Sequence, residues 1–107
     1  MKKKVKNKFK ISAIIEARMS SSRLPGKVMM PICQIPSIHY LINRLKFVNE
    51  LDDIIVATTT NKNDDILVKY LKKMNLKYFR GSEENVLDRV YKAAKHFHVK
   101  IIAQITG

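Results

Sequence analysis

The chain has 107 residues, of which 46% are hydrophobic and 28% are charged, and its formal net charge at pH 7 is +12. This length fits a single domain, and the composition is ordinary for a chain that folds and is soluble. The sequence offers no transmembrane segment. The lone cysteine, Cys33, excludes a disulfide bond within the chain.

Much of the positive charge belongs to the first ten residues, MKKKVKNKFK, which hold six lysines. The apolar run after them is interrupted at Glu16 and Arg18, so it is shorter than the hydrophobic region of a signal peptide, about 7 to 15 residues. We therefore predict a cytoplasmic protein with a basic tail over residues 1–9 and a folded domain over residues 10–107. A solvated terminus is the preferred interpretation of the lysines, and a nucleic-acid-binding arm is the alternative.

Short apolar runs alternate along the chain with segments that repeat their apolar residues at helical spacing. The runs are rich in isoleucine and valine and lack the alternation of a half-exposed strand, which is typical of buried parallel strands. Strands are predicted over Ile11–Ile15, Ile54–Ala57, Lys77–Phe79 and Lys100–Ile105. Helices are predicted from Ile38 to Val48, from Ile66 to Met74 and from Val86 to Phe97, with Ser37, Asn61 or Asn63, and Ser82 as their N-caps. The order β-α-β-α-β-α-β predicts a parallel sheet with right-handed crossovers.

The connection after the first strand, EARMSSSRLPGKVMMPI from Glu16 to Ile32, is about twice as long as the usual βα loop of ~2 to 6 residues. It leaves the carboxyl end of a strand, where α/β sheets bind their ligands. Arg18, Arg23 and Lys27, with serine hydroxyls and free backbone N–H groups around them, suit several phosphate oxygens at once. A solvated turn built from Ser, Pro and Gly is the alternative, and we favour phosphate binding. The loop fits neither the Walker A pattern nor G-x-G-x-x-G.

Four blocks of the chain are informative together: IIEARMSSSRLPGKVMMPI, DDIIVATTTNKNDD, YFRGSEENVLDRVYKAAKHF and IIAQITG. In order and spacing they resemble the amino-terminal half of the cytidylyltransferases related to spore-coat polysaccharide biosynthesis protein F. Those proteins are relatives of the enzymes that make CMP-KDO and CMP-acylneuraminate. The resemblance runs from Ile11 to Gly107, nearly the whole chain.

This resemblance implies a Rossmann-like three-layer α/β/α fold of the nucleotide-diphospho-sugar transferase type, with a mostly parallel sheet truncated after its fourth strand. It implies a reaction in which CTP and a sugar or sugar acid form a CMP derivative for surface polysaccharide biosynthesis, with release of pyrophosphate and with Mg²⁺ as cofactor. By resemblance Arg18 and Lys27 are catalytic, because they contact the phosphates. The nucleotide-binding positions that match the family are Ala17, Arg18, Met19, Ser20, Ser21, Ser22, Arg23, Gly26, Lys27, Arg80, Asp88, Arg89, Thr106 and Gly107.

Several residues depart from the family pattern. Glu16 stands where the family usually has Gln or Pro, and Gln34-Ile35 stands where it often has Gly-Lys. By resemblance, the family continues beyond the position of Gly107 with an aspartate that binds Mg²⁺ and then with the sugar-binding half. We therefore expect half of an enzyme, with its metal ligand beyond this chain, which binds nucleotide weakly and forms no CMP-sugar by itself.

The remaining expectations concern partners and ligands. The last strand lacks a neighbour, which predicts self-association through it. A non-catalytic nucleotide-binding remnant is the alternative function, as is a basic nucleic-acid-binding module. Nucleic-acid binding is disfavoured because Tyr and Phe stand at helical core spacing rather than where they would stack bases on a sheet. No membrane partner is expected, and His39, His96 and His98 lack metal-ligand spacing with carboxylates, so no metal ligand is assigned.

Overall fold

The computed structural model describes residues 9–20 and 24–107, so the predicted basic tail up to residue 8 and loop residues 21–23 lie outside the description. The elements are β1 (Ile11–Glu16), β2 (Pro31–Ile32), β3 (Ile35–Pro36), α1 (Ser37–Lys46), β4 (Asp53–Thr59), α2 (Asp65–Lys73), β5 (Lys77–Gly81), α3 (Val86–His96) and β6 (Ile101–Thr106), with 3₁₀ turns at Lys27–Met29 and Lys62–Asp64. Of the helices in these two ranges, none is long and apolar enough to cross a membrane. The cytoplasmic location stays a prediction.

The four predicted strands form one parallel sheet in the order β5-β4-β1-β6. β4 and then β5 lie on one side of β1, and β6, the last strand along the chain, pairs with the other side of β1. The order of the strands therefore reverses between β1 and β6. In open α/β sheets, ligands bind at the carboxyl ends of the strands beside such a reversal.

Helices cover both faces of the sheet, as the three-layer expectation requires. Ile15 faces a core formed with α1 and α2, where Ile42 and Leu71 are fully buried. Ile14, the next residue along β1, faces a second core formed with α3, which includes Val90. Because consecutive residues of β1 are buried on opposite faces, the strand appears in the sequence as a continuous apolar run.

β6 is an edge strand among the strands that the structure describes, and its α3-facing side is bare. Ile102 is 41% exposed, and Ile101 on the opposite face is 42% exposed. Gln104 and Thr106 continue the exposed row toward the carboxyl end. Self-association through this strand stays a prediction.

The predicted caps of α1 and α3 were wrong, and Asn61 caps the 3₁₀ turn before α2 rather than α2 itself, by accepting from the next asparagine's N–H at 2.8 Å. Pro36, not Ser37, precedes α1, and the Ser37 hydroxyl instead donates to the Lys27 carbonyl at 2.5 Å. α3 begins three residues later than Ser82 indicated, and the Asn85 side chain caps it by accepting from the backbone N–H of residue 88 at 2.9 Å. Ser82 accepts from the Asn85 N–H at 3.0 Å, so it shapes the turn before the cap. Each serine hydroxyl is therefore hydrogen-bonded outside the helix that it was expected to cap.

A short antiparallel hairpin, β2–β3, was not predicted. Its two-residue turn consists of Cys33 and Gln34, whose φ angles are 51° and 67°. A tight hairpin turn with positive φ at both positions normally uses Asn-Gly or Asp-Gly, because side chains with a Cβ are strained there. The turn thus closes without the glycine that the family often has nearby.

Replacing Gln34 by glycine should raise the free energy of unfolding by about 1 kcal/mol, because the left-handed strain of roughly 1 to 2 kcal/mol is relieved and part of it is offset by greater unfolded-state entropy. In thermal unfolding, the midpoint should rise by about 4 °C. Gln34→Ala is the matched control, because it keeps the Cβ and should stay near the wild-type midpoint. A lower midpoint for the glycine variant would show that the turn carries no such strain.

Candidate functional site

A crevice opens at the reversal of strand order, between the carboxyl ends of β1 and β6. Its lining residues are Glu16, Ala17, Arg18, Ser20, Lys27, Val28, Val86, Arg89, Thr106 and Gly107. Its volume is about 210 Å³. Pockets that enclose a whole small molecule have about 300 to 1,000 Å³, so this crevice suits a few phosphate groups better than a complete nucleotide.

Backbone pairing beyond the strand ends holds the two walls of the crevice together. The Ala17 N–H donates to the Ala57 carbonyl at 3.2 Å, which continues the pairing of β1 with β4 by one residue. The Gly107 N–H donates to the Glu16 carbonyl at 2.9 Å, which does the same for β6. Arg18 directly follows this hydrogen-bonded backbone, so the sheet fixes the point from which its side chain extends. The residue is half-buried in the crevice.

The loop after β1 is closed by a backbone contact at its base. The Gly26 N–H donates to the Met19 carbonyl at 2.7 Å, and the φ angle of Gly26 is 77°, which only glycine adopts without strain. The chain then enters the 3₁₀ turn that begins at Lys27. This closure brings the exposed Lys27 back to the crevice that Arg18 lines.

A buried carboxylate ties the same loop to the end of β4. Asp64 is 2% exposed, and its Oδ1 accepts from the Met19 N–H at 2.6 Å. Its other oxygen accepts from the hydroxyl of Thr59, which is fully buried. The sequence assigned Asp64 only to the start of a helix, and no local pattern indicated that its side chain turns inward toward Met19.

Arg89 is a buried cation that lines the crevice. The residue is 1% exposed; its Nη1 donates to the Ser82 carbonyl at 2.9 Å, while its Nε is buried without a partner in the described part of the chain. Burial lowers the pKa of Arg89, and the Glu16 carboxylate opposes that shift. Gly81 makes room, because a Cβ there would lie 3.1 Å from Arg89 Cγ. A buried guanidinium with spare donors is a preformed receptor for an anion.

Glu16 is the one carboxylate among the described residues that line the crevice. Its Oε2 accepts from Gln104 Nε2 at 2.9 Å, across the bare face of β6. Within residues 9–20 and 24–107, no group of three or more His, Cys, Asp and Glu side chains could hold a metal ion. A cation bound here would therefore need oxygen ligands beyond those of the described side chains.

Two predicted site residues are used elsewhere. Arg80 Nε donates to the Thr59 carbonyl at 2.7 Å, and its Nη2 donates to the Asn61 carbonyl at 2.9 Å and forms an ion pair with Asp65 at 2.8 Å. Asp88 forms an ion pair one helical turn away along α3. Neither residue lines the crevice. Arg80 instead fixes the connection between β4 and α2.

The structure brings half of the predicted positions together. Those that line the crevice are Ala17, Arg18, Ser20, Lys27, Arg89, Thr106 and Gly107. Met19 and Gly26 shape the loop behind it, and Ser21, Ser22 and Arg23 lie outside the described residues. Glu16, Val28 and Val86 complete the wall and were not predicted as binding positions. Glu16 departs from the family pattern, and single apolar residues beside a loop give no signal of their own in the sequence.

Comparison with known proteins identifies the architecture. A family model described as cytidylyltransferase matches residues 12–107. The spore coat polysaccharide biosynthesis protein SpsF of Bacillus subtilis is 38% identical over 98 residues, which cover 88% of this chain and 41% of that protein.

Two solved structures share the fold. A cytidylyltransferase from Leptospira borgpetersenii has a TM-score of 0.85 and 35% identity, covering 92% of this chain and 41% of its own. CMP:2-keto-3-deoxy-manno-octonic acid synthetase complexed with CTP has a TM-score of 0.74 and 25% identity, covering 91% of this chain and 39% of its own. The chain thus spans about two fifths of the length of these relatives. It belongs to the cytidylyltransferase family.

Proposed function

We propose that this chain binds the triphosphate of CTP in the crevice between β1 and β6, as part of an enzyme that transfers the cytidylyl group to a sugar or sugar acid. The observation that carries the proposal is the convergence of Arg18, Lys27 and the buried Arg89 on one crevice at the reversal of strand order. The likeness to a synthetase complexed with CTP supports the choice of nucleotide.

In this reaction a hydroxyl oxygen of the acceptor forms a bond with the α-phosphorus of CTP. The bond from that phosphorus to the oxygen that bridges the β-phosphate breaks, pyrophosphate leaves with the electron pair, and the hydroxyl proton passes to solvent. Negative charge gathers on the phosphoryl oxygens and on the departing pyrophosphate, so positioning and neutralisation supply most of the catalysis.

The three cations suit different parts of that task. The planar guanidinium of Arg18 can bind two phosphate oxygens at once, and the exposed ammonium of Lys27 acts as a movable point charge near the leaving group. Arg89 is held by its contact with Ser82 and by burial, so it presents a fixed charge that needs little reorganisation.

Mg²⁺, when bound, neutralises triphosphate charge and aligns the transferred group. In proteins it often uses one or two carboxylates, with water and substrate phosphates as the other ligands. Glu16 is the described side chain of the crevice that fits this donor set. The magnesium requirement is part of the proposal.

The assignment of the phosphate site is tested by titrating CTP calorimetrically into wild type and Lys27→Ala. Loss of a charged phosphate contact should cost about 1.5 to 3 kcal/mol, which weakens binding about 10- to 150-fold. Lys69→Ala is the control, because Lys69 is an exposed lysine of α2 away from the crevice and its loss should change affinity little. Equal affinities for wild type and Lys27→Ala would contradict the assignment.

The acceptor class is tested separately by pyrophosphate release from CTP and Mg²⁺. Sugar acids such as nonulosonic acids are compared with neutral sugars, with ATP in place of CTP as the nucleotide control. We expect this chain by itself to release no pyrophosphate with any acceptor, because the sugar-binding half is expected beyond it. Release that depends on both CTP and a sugar acid would contradict that expectation and support the proposed acceptor. Release with a neutral sugar alone would reassign it.

A further inference from the structure

The crevice proposed to bind the triphosphate contains a carboxylate, that of Glu16. The Glu16 carboxylate lines the same space as Arg18, Lys27 and Arg89. The Gly107 N–H donates to the backbone carbonyl of Glu16, which fixes the start of the side chain at the crevice, and Gln104 Nε2 donates to its Oε2 at 2.9 Å. The hydrogen bond to Gln104 orients the carboxylate along the crevice wall.

This carboxylate has two opposite effects on a bound triphosphate. It repels phosphate oxygens, and it partly offsets the charge of Arg89, on which it acts electrostatically. It attracts a divalent cation carried by the same phosphates. The first effect weakens binding of the metal-free nucleotide, and the second strengthens binding of the magnesium complex.

We infer that Glu16 makes this crevice select the magnesium complex of the nucleoside triphosphate over the metal-free form. The inference rests on the proposed function and adds a specificity-determining residue to it. Between them, residues 9–20 and 24–107 offer no cluster of three metal-ligating side chains, so Glu16 would supply one oxygen ligand, and the phosphates, water and groups outside these residues would supply the others. Selection would then depend on both charges being present together.

The buried Arg89 gives the second, independent indication that an anion belongs here. Its Nε lies buried with no partner in the described residues, although Glu16 lines the same crevice and no ion pair between the two is formed. The carboxylate therefore leaves that donor unsatisfied. A phosphate group of the nucleotide can therefore accept from Arg89, while the Mg²⁺ that it carries contacts the Glu16 carboxylate.

The test is a cycle of four affinities: CTP binding to wild type and to Glu16→Gln, each in excess Mg²⁺ and in EDTA. The amide keeps the shape of the side chain and its contact with Gln104. We expect Glu16→Gln to bind metal-free CTP at least about fivefold more tightly than wild type, and we expect the gain on adding Mg²⁺ to shrink by about tenfold. Glu16→Asp keeps the charge and should retain most of the wild-type gain.

The control for net charge is Glu50→Gln, since Glu50 is exposed in the connection between α1 and β4 and does not line the crevice. It should leave the magnesium gain unchanged. CTP binding with the same gain in wild type and Glu16→Gln would overturn this inference and leave the proposed function standing. Absence of CTP binding to wild type in both buffers would overturn both.

Discussion

Replacing Asp64 by alanine should lower the free energy of unfolding by about 3 to 5 kcal/mol. The substitution leaves the Met19 N–H and the buried Thr59 hydroxyl without their acceptor, and hydrogen bonds to a charged group contribute roughly 1.5 to 3 kcal/mol each. A small domain has only about 5 to 15 kcal/mol in total, so much of the margin would be lost. Urea unfolding measures the change.

The adjacent carboxylate provides a matched control. Asp65 pairs with Arg80 at the surface, and its side chain is 64% exposed, so Asp65→Ala should cost less than about 1 kcal/mol. Amide exchange at Met19 separates the local effect from global unfolding, because it should accelerate in Asp64→Ala even under strongly native conditions. Equal losses of stability in the two variants would show that Asp64 does not anchor the loop.

Replacing Arg89 by methionine should weaken CTP binding by about 30- to 1,000-fold without loss of stability. Truncating a buried charge that meets an oppositely charged group on the ligand costs roughly 2 to 4 kcal/mol. In the free protein, however, the same guanidinium is desolvated and incompletely paired, so an apolar side chain of similar volume should leave the free energy of unfolding unchanged or raise it by about 1 kcal/mol.

Calorimetric titration and urea unfolding of the same preparation measure the two effects together. Arg44→Met is the control, because Arg44 is exposed on α1, and it should change neither quantity by much. If Arg89→Met instead loses several kcal/mol of stability and keeps its affinity for CTP, Arg89 is a structural residue of the loop before α3. The opposing directions make the two roles distinguishable.

The parallel sheet could be predicted because burial on both faces leaves a mark on the sequence. Ile14 and Ile15 are both fully buried, and in a strand two such neighbours require both faces of the sheet to be covered, as the helices cover them here. The β2–β3 hairpin produces no comparable pattern in the sequence. Its strands have two residues each, and its turn uses Cys33 and Gln34 in place of the residues that usually signal a turn of this type.

The residue types predicted that cations of the β1 loop bind phosphate, but they did not predict where the side chains of Arg80 and Arg89 lie. Arg80 and Arg89 stand in one block, RGSEENVLDR, and have the same chemistry. Arg80 donates to backbone carbonyls of the β4–α2 connection, whereas Arg89 packs against Gly81 and is buried beside the crevice. The direction of β5 and the late start of α3, which Asn85 caps, decide between them, and neither is encoded locally.

The most direct test of the central claim is to map the backbone amides that shift when CTP is added, by heteronuclear NMR. We expect the largest shifts at the carboxyl ends of β1 and β6, at Ala17, Arg18, Thr106 and Gly107, and at the 3₁₀ turn that begins at Lys27. The opposite end of the sheet, at the amino-terminal ends of β4 and β5 around residues 51–54 and 75–77, is the internal reference and should stay unchanged. Shifts concentrated at that end or along the lysines of α2, with none between β1 and β6, would contradict the claim that this crevice binds the triphosphate.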